Sequence, residues 1–155
     1  MKIPTLVLIV LLCLAFCMMS EKKPKRNATY LETEEFSRLN LPFSQAVIYG
    51  NIIYVSGQLA EDGLTEEATL VEGGIGPETR QTMLYIKKIL EANGSSIENI
   101  IKCTCMLAAI EEWAEMNVEY IKFFPENKPA RSAFATNGLL FNARVEIECM
   151  AYLND

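Results

Sequence analysis

From Arg144 to Leu153 the chain alternates strictly. Val145, Ile147, Cys149, Ala151 and Leu153 are apolar or small, and Arg144, Glu146, Glu148, Met150 and Tyr152 stand between them. Side chains of a β-strand point to opposite faces with a period of two, so the run reads as a strand with one apolar face. Such a strand demands a sheet with a core on one side. Glu146 and Glu148 then project from the other side. Two readings are open for them: a solvated sheet face, or carboxylates placed for chemistry. Upstream, Arg131 follows Pro129-Ala130 on an apolar-flanked turn. It too has two readings, a surface cation in a weak ion pair or an anion ligand.

The preceding segments supply the other layers. Residues 46–49 and 52–56 are short apolar runs joined by Gly50-Asn51, the pattern of a β-hairpin. Gly57 follows, where the backbone can approach a ligand closely or simply turn. Residues 61–75 are acidic and glycine-rich and read as a loop. Gly76-Pro77-Glu78 opens a helix, because proline suits a first turn and an acid suits the helix dipole there. Its buried stripe is Met83, Ile86 and Leu90, and Asn93-Gly94 ends it. Residues 100–108 alternate again, with Ile101, Cys103, Cys105 and Leu107 on one face. A second helix is predicted over 111–124, stopped by Pro125, with Trp113, Met116, Tyr120 and Phe124 as its core stripe. Asn117 lies beside that stripe. A partly buried amide needs partners, so it ties down a loop or faces a ligand.

This order predicts an α+β fold: a single mixed β-sheet with two helices packed on one face. The second face keeps apolar residues and needs a cover.

Composition narrows the function. The chain has 155 residues, enough for one domain with a core, and a net charge of −6. That balance does not fit a general nucleic-acid surface, so nucleic acid is not expected as a partner. There is no histidine, which removes the commonest general base and the commonest zinc ligand. No phosphate-binding glycine loop is present, and Gly73-Gly74-Ile75-Gly76 is a weak nucleotide signal. Of five cysteines, Cys13 and Cys17 lie in the N-terminal apolar run. Cys103 and Cys105, two apart on one strand, are too far separated for a disulfide with each other. The odd remainder predicts free, mostly buried thiols.

The N-terminus carries an address. Met1-Lys2 precedes an apolar run over residues 3–19, then Ser20, which reads as a secretory signal peptide. Lipidation at Cys17 is disfavoured by the bulky Phe16. An uncleaved membrane anchor is the runner-up, and the basic residues Lys22, Lys23, Lys25 and Arg26 would then hold the domain in the cytoplasm. The expected division is a signal or anchor over 1–20, a polar linker over 21–35 and a folded domain over 36–155. The expected location is extracytoplasmic after cleavage, with membrane contact only through residues 3–19 if these are retained. Asn27-Ala28-Thr29 and Asn93-Gly94-Ser95 are glycosylation sequons.

A resemblance sharpens these alternatives. Pro129-Ala130-Arg131-Ser132 followed by Val145-Glu146-Ile147-Glu148 resembles the signature of the Rid (YjgF) family of reactive-intermediate deaminases, also called RutC-like or endoribonuclease L-PSP proteins. Ser44-Gln45-Ala46, Gly50-Asn51, Val55-Ser56-Gly57-Gln58, Thr79-Arg80-Gln81 and Lys102-Cys103-Thr104 add to it. The likeness covers about residues 36–153.

The resemblance implies a chorismate-mutase-like Rid fold, assembled as a homotrimer whose sheets form a central barrel, with active sites in clefts between subunits. It implies that Arg131 binds the carboxylate of a 2-imino acid and that Glu146 holds or activates the attacking water. Ser56, the Gly57 backbone and Asn117 match cleft-lining positions. Phe43 stands where tyrosine is common and Ala133 where cysteine is common, which leaves substrate preference and rate open. The implied activity is that of a 2-iminobutanoate/2-iminopropanoate deaminase, releasing 2-oxo acids and ammonia, with no metal or organic cofactor. The alternatives are a non-catalytic module that binds small carboxylates and an endoribonuclease or translation inhibitor.

Overall fold

A computed structural model describes residues 27–61 and 69–154. The apolar run at residues 3–19 and residues 62–68 of the acidic loop lie outside the described residues. Six strands form one sheet: β1 (Thr29–Leu31), β2 (Ala46–Tyr49), β3 (Ile52–Gln58), β4 (Ile100–Leu107), β5 (Ala130–Ala135) and β6 (Val145–Tyr152). Their order is β1-β2-β3-β6-β4-β5. Among the described residues only the β4–β5 pairing is parallel; the other strand pairs are antiparallel. Among the described residues three α-helices accompany them, α1 (Glu34–Arg38), α2 (Ile75–Ala92) and α3 (Trp113–Tyr120). The fold is α+β with a mixed sheet, as the sequence predicts.

The core lies between one sheet face and the helices. Val145, Ile147, Cys149 and Ala151 of β6 meet Met83, Ile86 and Leu90 of α2, all buried. Burying one such side chain contributes ~1.5–3 kcal/mol, and truncating Leu90 to alanine is expected to cost about 2–5 kcal/mol. α2 starts after Gly74, whose φ of 83° favours glycine. It ends where the Asn93 side-chain amide donates to the Ile89 carbonyl at 2.8 Å. Ser95 of the same sequon is buried and donates to the Tyr152 carbonyl. The fold therefore uses the polar groups of that sequon, whereas Asn27 is exposed.

Several expectations need correction. Residues 21–35 are not all linker: β1 adds to the sheet edge, and Leu31 packs against the core. On β4, Cys103, Cys105 and Leu107 face the core, but Ile101 is 45% exposed and Ile100 is buried instead. A register shift between Ile100 and Lys102 turns the strand over there. The second helix is shorter than predicted, with 3₁₀ turns at Ile110–Glu112 and Ile121–Phe123 flanking α3. Trp113 leaves the core stripe and is 43% exposed, while Met116, Tyr120 and Phe124 are buried. Finally, the thiols are not all free. Cys103 and Cys149 are directly opposed on β4 and β6 and form a disulfide with Cα atoms 4.2 Å apart. Cys105 stays free and buried, and burial pushes its thiol up to about 11.

The other sheet face is open. Alternation places Tyr54, Met150, Tyr152, Tyr49, Phe134 and Tyr30 on it, and all are exposed. Lys102 also stands there and donates to the Ser132 hydroxyl at 2.8 Å.

Candidate functional site

The predicted site residues fall into two groups. The first is built around Arg131 on the edge strand β5. Arg131 pairs in register with Cys103, which faces the core, so its side chain starts on the helix-covered face. There α3 receives it. The guanidinium carbon lies 4.7 Å from the Tyr120 ring centroid and 5.5 Å from that of Trp113. Nη1 also approaches the Met116 sulfur at 4.0 Å. A cation between aromatic faces is attracted by their quadrupoles, and its plane is held.

What Arg131 lacks is equally informative. Arg38, Arg80 and Arg144 each form an ion pair with a glutamate. Among the described residues Arg131 has no such partner, although it is half-buried. It opens on a cleft of about 410 Å³ shared with Asn117, Tyr120, Ile121, Phe124 and Lys128. Among the described residues no acid lines this cleft. Tyr120 is buried, its hydroxyl finds no partner among the described residues, and burial raises its pKa. Ala133 lies two residues along β5 on the same face, opposite Cys105.

The helix that carries Asn117 and Tyr120 is tied down by charge. Glu119 accepts from Arg80 Nε at 3.0 Å and from Lys122 at 2.7 Å. These bonds, Arg80 first, hold its carboxyl down to about 2.

The second group is built around Glu146 on the open face of β6. Opposite it β3 bulges: Val55 pairs with Cys149, but Gln58 pairs with Ile147, so Ser56 and Gly57 together face Glu148. The Glu146 carboxylate occupies the space a side chain at residue 57 would need. A Cβ there would stand 2.9 Å from Glu146 Cδ and closer still to Oε1. Gln58 Nε2 donates to the Ser56 and Gly57 carbonyls at 2.9 and 3.1 Å and fixes the bulge. The Ser56 hydroxyl donates to the Ser44 carbonyl at 2.7 Å. That bond anchors the loop bearing Phe43, which packs edge-on against Phe36 at 5.8 Å. Burial, and then the neighbouring Glu148 charge, raise the Glu146 carboxyl above the usual range. A carboxylate of that kind is suited to take and return a proton.

Ser56, Gly57 and Glu146 are thus brought together, with Phe43 beside them through the anchored loop. Arg131 and Asn117 are also brought together. The two groups are not, because Arg131 and Glu146 lie on opposite faces of one sheet. Sequence reasoning missed Lys128, gave Gln58 only within the Val55-Ser56-Gly57-Gln58 match, and placed Trp113 and Tyr120 only as core. An aromatic one turn from Asn117 and a lysine three residues before Arg131 were the available signals. Among the described residues no cluster of three or more His, Cys, Asp or Glu could hold a metal ion.

Comparison with known proteins extends these observations. Residues 37–153 match the profile of a family described as Endoribonuclease L-PSP. A RutC family protein of Pyrococcus horikoshii is 41% identical over 111 residues, 72% of this chain and 86% of that protein. The 2-iminobutanoate/2-iminopropanoate deaminase of Bos taurus is 39% identical over 110 residues, 71% of this chain and 79% of that one. The crystal structure of yeast Mmf1 superposes with a TM-score of 0.71 at 32% identity, covering 83% of this chain and all of that one (100%).

Proposed function

The chain belongs to the Endoribonuclease L-PSP family, the YjgF/RutC/Rid proteins, and we propose from that premise that it hydrolyses small 2-imino acids to 2-oxo acids and ammonia. The observation that carries the reading is Arg131: a half-buried arginine, held between two aromatic rings, open to a cleft and without an acidic partner. A guanidinium in that state offers its planar fork to a carboxylate through two parallel, charge-assisted hydrogen bonds.

Glu146 supplies the second role. It takes a proton from water as the oxygen adds to the C=N carbon and passes that proton to the imine nitrogen, giving the carbinolamine. Glu146, again a carboxylate, then takes the hydroxyl proton and returns it to the nitrogen as the C–N bond breaks, so ammonia leaves and the 2-oxo acid remains. The raised pKa of Glu146 favours this exchange, because base and conjugate acid are then both accessible nearer neutral pH.

One chain holds these groups on opposite faces. The reading therefore requires self-association, with Arg131 from one copy and Glu146 from another lining a shared cleft. The exposed apolar residues of the open face, Tyr54, Phe134 and Met150 among them, support burial of that face against further copies. A homotrimer with the three sheets around a central barrel satisfies this requirement.

An L-amino-acid oxidase generates the imine, and semicarbazide traps what survives. The protein should lower the trapped fraction in proportion to its concentration. Keto-acid binding without any faster imine loss would point to the non-catalytic carboxylate module instead. For the endoribonuclease reading, the net charge of −6 and the absence of histidine predict no RNA cleavage that both survives rigorous nuclease removal and disappears in Arg131→Ala.

A further inference from the structure

We propose that Lys128 is a second anion-binding group in the Arg131 cleft and that it biases this site toward 2-imino acids with a second carboxylate. The inference rests on Arg131 as the ligand for the first carboxylate.

Lys128 and Arg131 line one cleft, and among the described residues no glutamate or aspartate lines it with them. Neither is in an ion pair among the described residues, whereas Arg80, Lys122 and Arg144 are each matched to a glutamate. This happens in a chain of net charge −6. Acids outnumber bases overall, yet these two cations share a concave site without a counter-charge. Two cations left unneutralised in a cleft attract anions there and raise their local concentration.

Beyond the two cations and Asn117, the wall is apolar. Ile121 and Phe124 line it, and Tyr120 adds its ring and a buried hydroxyl with no partner among the described residues. A hydrocarbon skeleton suits that wall, and charge suits the two ends. The backbone also restrains the spacing. Lys128 precedes Pro129, which disfavours the helical region for the lysine and keeps it extended. Three extended residues separate Cα atoms by at most about 10 Å. Two long side chains lining one cleft across that span match the carboxylates of a four- or five-carbon diacid. A monoacid such as 2-iminobutanoate would occupy Arg131 and leave the ammonium in water.

The 2-oxo acid products serve as probes on the assembled full chain, read by calorimetry, so that the test does not depend on turnover. The ratio of 2-oxoglutarate to 2-oxobutanoate affinity is the quantity of interest. For an ammonium at a solvated rim the preference for the diacid should be about fivefold at low salt, and it should shrink in 0.5 M NaCl as the ions screen it. Lys128→Gln should bring the ratio to about one, chiefly through lost diacid affinity. A parental ratio near one, or a ratio that Lys128→Gln leaves intact, overturns the proposal while monoacid binding still supports the Arg131 reading. Equal weakening of both ligands by Lys128→Gln overturns it as well, because a structural role would act on both. If neither keto acid binds and Arg131→Ala alters nothing, the Arg131 reading falls and this inference with it.

Discussion

The Arg131 cleft and the Glu146 bulge solve the same problem in different materials. Arg131 is held by side chains: rings of α3 grip its guanidinium, and an Arg80–Glu119–Lys122 network fixes the helix that carries them. Glu146 is held by backbone: a two-residue bulge clears space for its carboxylate, and Gln58 braces the bulge carbonyls. A group held by side chains tolerates substitution in steps, as one contact after another is lost. A group seated in a space that a single missing Cβ leaves open fails abruptly when that space is filled.

The largest effect is expected for the charge itself. Arg131→Ala removes both charge-assisted bonds, each worth roughly 1.5–3 kcal/mol, so kcat/KM should fall on the order of a thousandfold or more. The melting temperature should stay near the parental value, since among the described residues the arginine has no acid partner to orphan. A clear fall in melting temperature would mark Arg131 as a structural tie. Arg131→Lys keeps the charge without the fork and should lose about 30- to 200-fold.

Gly57→Ala comes next. The new methyl would overlap the Glu146 carboxylate, and displacing a catalytic group by about 1 Å can cost about a hundredfold. The loss should appear mainly in kcat, with keto-acid binding at Arg131 kept. Loss of binding with unchanged turnover would contradict the division of labour between the two groups.

Trp113→Leu should act more gently. Its ring is part-exposed and contributes a cation–π contact of ~0.5–1 kcal/mol, so KM should rise roughly two- to fivefold with kcat preserved. Glu148→Gln should act on pH alone. Glu146 is raised first by burial and then by Glu148, and a raised carboxyl must lose its proton before it can act as base. Activity should therefore fall as pH drops through that raised value. Removing the Glu148 charge should move this acid limb to lower pH, and a shift to higher pH would rule out the like-charge effect.

How much of this was legible in the sequence depended on the strand. The alternation of β6 declares its faces because its inward residues are all apolar or small, so Glu146 was placed on the outer face from the sequence. The sequence of β5, Ala-Arg-Ser-Ala-Phe-Ala, alternates nothing hydrophobic. The face of Arg131 is decided only by its register with Cys103, and register comes from long-range pairing. The same blindness hid the Cys103–Cys149 bridge, whose partners are 46 residues apart. Ile101 was misplaced because a bulge breaks the period that placed it. Trp113 matched a helical stripe, but periodicity reports an apolar face and not what that face touches. At this position it touches the guanidinium.

The requirement that Arg131 and Glu146 meet across two copies is tested most directly by mixing two inactive variants. Arg131→Ala and Glu146→Ala, each expected to be near-inactive alone, are co-expressed with different tags and purified as mixed assemblies. In a head-to-tail ring each cleft draws its arginine from one copy and its glutamate from the next, so every mixed trimer should keep one of its three clefts intact. Imine hydrolysis should recover to about a third of the parental rate. Mixed assemblies as inactive as either parent variant would contradict a shared site and return both groups to a single chain.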